Sequence, residues 1–383
     1  MIYLDNASTT PCLESSAEIV KKKLVEGFYN PSAKYMPAFN SSKELDSARR
    51  KLIELLGGSP SSYSVVFTGS ATEANNLVLN SSLSRHKPNM ISVGEHASVY
   101  ETAKAFREKG VNIIELPLTS SGVVDLDAFK KLMTKDVAFI SVMLVSNETG
   151  AINDIKSIVS YAKKINPKVL VHVDAVQAFC KIPINIENLD VDYITLSSHK
   201  VEGPKGVGAL VYKTKAKLEA QIFGGGQESG KRSGTENLPS IMGFINSATI
   251  LSERLRVNFD KLTTFRNNFI NKLSLKSSQI GLEFVVNGSG TDSQSPYILS
   301  CGFIGTKGEV LLHALASEEI YVGTGSACNS KHSGNRVLSA MGKTKDEVEC
   351  NIRLSFMESS IGADIDELST IIVGLAKKHN SRK

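Results

Sequence analysis

No stretch of this 383-residue chain approaches the ~18 consecutive apolar residues that span a bilayer, so no membrane-spanning helix is expected. The opening residues, MIYLDNASTTP, have neither the charged start nor the long apolar core of a secretory signal, so a cytoplasmic location is expected. Cysteine is scarce. The five cysteines (Cys12, Cys180, Cys301, Cys328 and Cys350) are odd in number and share no CxxC spacing, which argues against a disulfide framework and a zinc site. The seven histidines are equally dispersed. His172 and Asp174 form an H-x-D that strand alternation puts on one face without a metal, so no metal site is expected. Charge of either sign is not in large excess. The net charge is +5, and only Lys377, Lys378, Arg382 and Lys383 gather into a short basic tail, read as a solvated end. Direct nucleic-acid binding would call for a denser basic face with interleaved aromatics. There is no internal repeat and no low-complexity linker.

What is present describes an ordinary globular protein. Hydrophobic residues make up 41% and charged residues 22%, and the length allows a large core in two or three domains. The pattern predicts helices over 14–25 and 41–56, the second stopped at Gly57-Gly58. From residue 64 to 212 short apolar runs alternate with polar turns and amphipathic helices: 64–67, 90–93, 137–145, 169–173, 193–196 and 208–212. Such alternation predicts an α/β fold, with a mainly parallel sheet flanked by helices. After a glycine-rich loop (223–237) and a helix at about 238–255 the alternation becomes less regular. A large domain over 13–255 is therefore expected, with 1–12 and 256–383 forming a smaller α+β domain. Its last helix has Asp364 as N-cap and a stripe of Ile365, Leu368, Ile371, Ile372 and Leu375.

The chemistry collects where the apolar runs end. The run 169–173 stops at Asp174, and the run 193–196 stops at Ser197-Ser-His-Lys200. In α/β sheets, ligands are held at the carboxyl ends of strands. A carboxylate and an amine placed there can serve one aromatic cofactor, the acid keeping a ring nitrogen protonated and the amine forming a Schiff base. Taken singly, the two also read as a turn aspartate and a surface lysine. The turn Thr68-Gly-Ser-Ala-Thr72 opens a helix with Ser70 and Glu73 at capping-box spacing, and its free N–H groups suit either a phosphate or an ordinary cap. His96 falls between a strand and a helix, where it can stack on a flat ring, carry a proton or simply be structural. Cys180, Cys301 and Cys350 lie among apolar neighbours and read as packing residues. Cys328 lies in GTGSACNSKHSGN, with Lys331 and His332 nearby, and is either a nucleophile on an open loop or an incidental surface thiol. Arg353, in NIRLSF, can fork a carboxylate or make a surface salt bridge.

Together these motifs resemble the cysteine desulfurases, fold-type I pyridoxal-phosphate (PLP) enzymes of the class V aminotransferase group. YLDNASTTP, NPS, FTGSATEANN, EHASV, SNETGAI, HVDAVQ, SSHKVEGPKGVGAL, GGGQESGKRSGTEN, GSACNS and IRLSF occur in the family's order along nearly the whole chain. The resemblance implies that the large domain binds PLP, with Lys200 as the covalent attachment point and proton shuttle. Asp174 would pair with the ring nitrogen, and His96 would stack on the ring and act in acid–base steps. Asn147 and Gln177 would reach the ring hydroxyl. Ala71, Thr72, Ser197 and His199 would hold the phosphate, with Thr235 supplied by the second subunit of a homodimer. Arg353, with Asn147, would bind the carboxylate of L-cysteine. Cys328 would take the sulfur as a persulfide and pass it to an acceptor protein, an iron–sulfur scaffold or a tRNA-thiolation enzyme, leaving L-alanine.

Some details depart from the family's commonest pattern. Gly323-Thr324 precede GSAC where a serine pair is frequent, and Asn329 replaces a threonine or serine. The loop fits the longer-loop class, in which GSAC occurs. The short stretch after the last helix lacks the extension that scaffold-binding members use, which brings a tRNA-thiolation acceptor level with an iron–sulfur scaffold. Competing readings are a selenocysteine lyase or another class V PLP enzyme, a non-catalytic binding member, and nucleic-acid binding through the basic tail.

Overall fold

The structure is a computed structural model, described for residues 1–288, 293–325 and 335–382. Strand β1 (Ile2–Tyr3) leads to helices α1 (Glu14–Val25) and α2 (Met36–Leu55). Strands and helices then alternate: β2 (Tyr63–Thr68), α3 (Ala71–Ser82), β3 (Asn89–Ser92), α4 (Ala97–Glu108), β4 (Ile113–Leu116) and α5 (Leu126–Leu132). They continue through β5 (Phe139–Ser141), α6 (Ile155–Ile165), β6 (Leu170–Asp174), α7 (Ile186–Leu189), β7 (Tyr193–Ser197) and β8 (Gly208–Lys213). The remainder comprises α8 (Leu238–Gln279), β9 (Phe284–Asn287), β10 (Ile298–Phe303), α9 (Gly308–Ser317) and β11 (Ile320–Tyr321). It ends with α10 (Arg336–Ala340), α11 (Lys345–Glu349), β12 (Asn351–Ser355) and α12 (Ile365–Lys378).

Seven strands form one sheet in the order β2-β8-β7-β6-β5-β3-β4. The contiguous set β7, β6, β5, β3 and β4 pairs in parallel, whereas β8 runs antiparallel to both β7 and β2. Side chains alternate between two buried faces. Val65 and Phe67 join the larger core cluster while Val66 joins a second one, and in β8 Ala209 and Val211 oppose Leu210 and Tyr212 in the same way. Helices α3 and α4 cover the second face, through Ala74, Leu77, Val78, Val99 and Ala103. Both faces are therefore apolar, as a helix-flanked parallel sheet requires, and each fully buried Val, Leu or Phe contributes about 1.5–3 kcal/mol.

A three-stranded antiparallel sheet, β12-β10-β9, and the parallel pair β1-β11 lie in the C-terminal half, joined by the N-terminal strand. Asp5 also bridges to Ser355, which ties the first residues to β12.

The structure departs from the sequence pattern at four elements. Helix α2 begins at Met36, five residues ahead of the expected start, with proline in its first turn where the missing N–H costs nothing. Strand β5 pairs over only three residues, although Val142 and Leu144 still donate to His172 and Asp174 of β6 beyond it. Strand β4 is short and has only one buried residue, Leu116. Helix α8 runs unbroken for 42 residues, so the expected boundary after residue 255 falls inside a continuous helix.

Candidate active site

The carboxyl ends of β2, β3, β5, β6 and β7 deliver polar residues to one edge of the sheet, and the N-terminal segment Asp5–Thr10 crosses that edge. Asp174 is the last residue of β6 and pairs in register with Thr195 of the neighbouring β7. Lys200 ends the single 3-10 turn that follows β7. Its Nζ donates to the carbonyl of Ala7 at 2.6 Å and to that of Ser8. The Gln177 amide donates to the same Ala7 carbonyl at 2.9 Å. The acid, the amine and the amide expected from sequence are thus brought to adjacent strand tips.

Asp174 is buried, and its acceptors are met by neutral donors: Asn75 Nδ2 to Oδ2 at 2.9 Å and the Val176 N–H to Oδ1 at 3.0 Å. Among the described residues it forms no ion pair, so its charge is held in low dielectric without a cationic partner. Asn75 Nδ2 also donates to Ser98 Oγ at 2.8 Å, and Ser98 Oγ lies 2.8 Å from His96 Nδ1. His96 caps α4, its Nδ1 accepting the Ser98 N–H. The imidazole is exposed at the site edge and is linked to Asp174 through two buried residues.

At the end of β2, Ser70 caps α3 by accepting from the Glu73 N–H. Glu73 does not complete the expected reciprocal box. Its carboxylate accepts from Gly69 N at 2.8 Å and pairs with Arg232 on the glycine-rich loop. The N–H groups of Ala71 and Thr72 meet no acceptor among the described residues and face the positive end of the helix. Gly208 of β8 makes this approach possible, because a Cβ there would sit 2.6 Å from the Ser70 carbonyl carbon and 2.7 Å from Ala71 N. Ser197 is buried at the end of β7, and half-buried His199 has Nδ1 3.1 Å from Thr9 Oγ1. Burial, reinforced by Lys200, Lys205 and Lys181, pushes His199 down to about 4, so its ring is neutral at physiological pH. Thr235 is exposed on the loop that Arg232 pins to α3.

Of the two sequence readings of Arg353, a surface salt bridge does not hold, because the residue is buried at 5% exposure. The reason is that the N-terminal segment packs over β12. Arg353 Nη2 donates to Asp5 Oδ1 and Ser8 Oγ, both at 3.0 Å, and Nη1 to the Asn147 carbonyl at 2.9 Å. Its Nε is buried and meets no acceptor among the described residues. Asn147 and Arg353 are therefore neighbours, as expected, while the Asn147 amide is turned onto Glu148 Oε1 at 2.8 Å. Cys328 lies outside the described residues. Gly323, on its N-terminal side in sequence, exchanges two backbone bonds with Arg353.

Several residues of this edge escaped the sequence reading. Asn75 had one available signal, an asparagine inside the apolar stripe of α3. Glu95 is fully buried beside Ser141, and burial together with Asp174 holds its carboxyl well above the usual range. Lys181 stood out only as a lysine within the apolar run AFCKIPI. His172, by contrast, is satisfied structurally: its ring nitrogens meet Ser141 and Thr195, and burial pushes it down to about 3.

The donor set fits PLP. A buried unpaired carboxylate suits a ring cation, an amine within reach of the same edge suits an aldehyde, and free helix N–H groups suit a phosphate. The Arg353 Nε, which meets no acceptor among the described residues, suits a substrate carboxylate.

The family model for class-V aminotransferases matches residues 2–368. Among curated proteins the chain is similar to cysteine desulfurase IscS 1 of Archaeoglobus fulgidus, 33% identical across 100% of this chain and 98% of the relative. Among solved structures it is similar to a NifS-like protein, with a TM-score of 0.88 and 31% identity over 98% of both chains. It is also similar to SspA in complex with cysteine, with a TM-score of 0.78 and 26% identity over 93% of this chain and 99% of that one.

Proposed function

Because the chain belongs to the class-V aminotransferases and, within them, to the PLP-dependent cysteine desulfurases, we propose that the strand-tip edge described above is its desulfurase site. Asp174 and Lys200 on adjacent strand tips, with Lys200 and Gln177 sharing the Ala7 carbonyl, carry this assignment. When bound, PLP supplies an electron sink that makes the Cα–H of L-cysteine acidic.

The residues divide the remaining work. Lys200 would attach the cofactor and could take up the Cα proton. Asp174, short of cationic partners, would favour a protonated ring nitrogen. His96 would lie against the ring and could move a proton. Gln177, with Asn147, would hold the ring hydroxyl. Ala71, Thr72, Ser197 and neutral His199 hold the phosphate, completed by Thr235 of a second copy. Arg353, beside Asn147, forks the substrate carboxylate. Cys328 as thiolate attacks the substrate sulfur. A sulfur–sulfur bond forms, the carbon–sulfur bond breaks, and protons returned to the carbon fragment give L-alanine, leaving a persulfide on Cys328. A Cβ added at Gly325, just ahead of the segment that carries Cys328 in sequence, would meet the side chains of Glu148 and Asn335, and Glu148 follows Asn147. This supports a nucleophile drawn from the segment that follows.

The same reading assigns the chain to the longer-loop class, in a homodimer. Exposed Leu24, Val25, Phe28, Tyr35, Met36 and Phe39 lie together in sequence around the start of α2 and supply an apolar surface for the second copy. No helix among the described residues is long and apolar enough to cross a membrane, and we place the enzyme in the cytoplasm. The persulfide passes to an acceptor protein, either an iron–sulfur scaffold or a tRNA-thiolation enzyme. Large-domain residues 13–255 form the cofactor side, and residues 1–12 with 256–383 form the smaller side that carries Cys328. The test is incubation of the PLP-loaded protein with L-cysteine and a thiol reductant. Equal amounts of alanine and sulfide support the assignment, and a loaded protein that forms neither refutes it.

A further inference from the structure

Lys181 is a buried charge that none of the roles above uses. Its side chain is 2% exposed, its Nζ donates to Gln177 Oε1 at 3.0 Å, and it lies 5.8 Å from the Tyr297 ring centroid. The charged and titratable groups around it are Lys200 and Arg353, which oppose its charge, Glu202 and Cys180, which favour it, and His199, whose ring its charge helps keep neutral. Burial pushes the Lys181 ammonium down to about 7, and Lys200 adds to the shift. A methionine of similar length would fill this position without desolvating an ammonium. What the lysine alone adds is a set of N–H donors and a charge.

Both additions act on the cofactor end of the site. As an ammonium, Lys181 has only donors to offer, so its contact fixes the Gln177 side chain with oxygen toward Lys181 and NH2 toward the Ala7 carbonyl that Lys200 also binds. Its charge lies close enough to Lys200 to disfavour a second positive charge there. We propose that Lys181 is a positioning residue that aims the Gln177 amide at the cofactor's ring hydroxyl and opposes protonation of the nitrogen that Lys200 contributes. This rests on the assignment of Lys200 as the PLP-bearing residue.

The experiment titrates the visible absorption band of the PLP-loaded protein against pH in wild type, Lys181→Met, Lys181→Gln and Lys181→Arg. Removing a neighbouring positive charge stabilises the protonated form, so the Met and Gln variants should raise the midpoint by about half to one pH unit. The Arg variant keeps charge and donor and should leave the midpoint at or below that of wild type. Lys181→Met also removes the donor and should lose PLP on dialysis several-fold faster, whereas Lys181→Gln should retain it. Midpoints in the Met and Gln variants that match wild type overturn the proposal, as does a rise in the Arg variant. If Lys181→Met fails to fold, as judged by melting of the apo-protein, the Gln and Arg pair decides. A wild-type protein that develops no visible band with PLP overturns the Lys200 assignment and this proposal with it. A normal band with unmoved midpoints overturns this proposal alone.

Discussion

Gln177 and Lys200, one following β6 and the other following β7, donate to the same backbone oxygen, that of Ala7. The residue supplying that oxygen comes from the N-terminal end of the chain, on a segment that also gives Ser8 to Arg353 and Asp5 to the same guanidinium. One short segment, turning at Asn6–Ser8, thus ties Lys200 to Arg353.

Lys200→Ala should abolish covalent attachment of PLP. Borohydride reduction followed by peptide mass analysis should find the cofactor on the Lys200 peptide in wild type and on no peptide in the variant. A labelled Lys181 peptide in wild type would contradict the assignment.

Cys328→Ala should keep its cofactor and its visible spectrum while sulfide release from L-cysteine falls at least about 1000-fold, as expected when a nucleophile is removed. Selenocysteine, with its weaker carbon–selenium bond, should still be turned over. Undiminished sulfide release from L-cysteine, with PLP retained, would remove Cys328 from the role of sulfur acceptor.

Asp174→Asn keeps the shape of the side chain but removes the charge opposite the ring nitrogen. Turnover should fall roughly 100- to 1000-fold, the scale of a lost electrostatic partner in a desolvated site. PLP should still bind, because the helix α3 N–H groups and Lys200 are untouched, and equilibrium dialysis measures this directly.

Arg353→Lys should raise KM for L-cysteine about tenfold or more, with a smaller effect on kcat, because an ammonium cannot fork a carboxylate. Arg353→Ala should also destabilise the fold by about 3 kcal/mol, since Asp5 would lose the partner that neutralises it, and urea unfolding should show the difference.

His172 supplies a pH dependence of stability. Its folded pKa is pushed down to about 3 from 6.5, so the unfolded chain takes up a proton that the folded one refuses. Its destabilising effect is absent above pH 6.5 and grows as pH falls toward 3, at about 1.4 kcal/mol per unit. His172→Gln should flatten the stability profile over that window by about one proton, as read from urea midpoints at several pH values. An unchanged slope would mean that the ring is not buried neutral.

Much of this was legible in the sequence, because strands announce themselves by their apolar runs and site residues by where those runs stop. Asp174, Lys200, His96 and Thr72 stand out that way as candidates at one sheet edge, and the caps at Ser70 and Asp364 follow from local spacing alone. What stayed hidden depends on parts distant in sequence. Strand β4 exposes part of three of its four residues at a sheet edge and lacks a continuous buried run. The length of α8 is set by packing against α1, α2 and α12, while its weakly patterned middle resembles a stop. Ala7, Asn75 and Lys181 matter only because the N-terminal strip, α3 and the turn after β6 meet, and no local periodicity encodes that meeting.

The most direct test of the whole account is to add one equivalent of L-cysteine to PLP-loaded protein without reductant, alkylate, and map the extra sulfur by peptide mass. The account predicts one alanine for each sulfur found, and the sulfur on the Cys328 peptide. Alanine formed with the extra sulfur on Cys12, or on no cysteine at all, would contradict it.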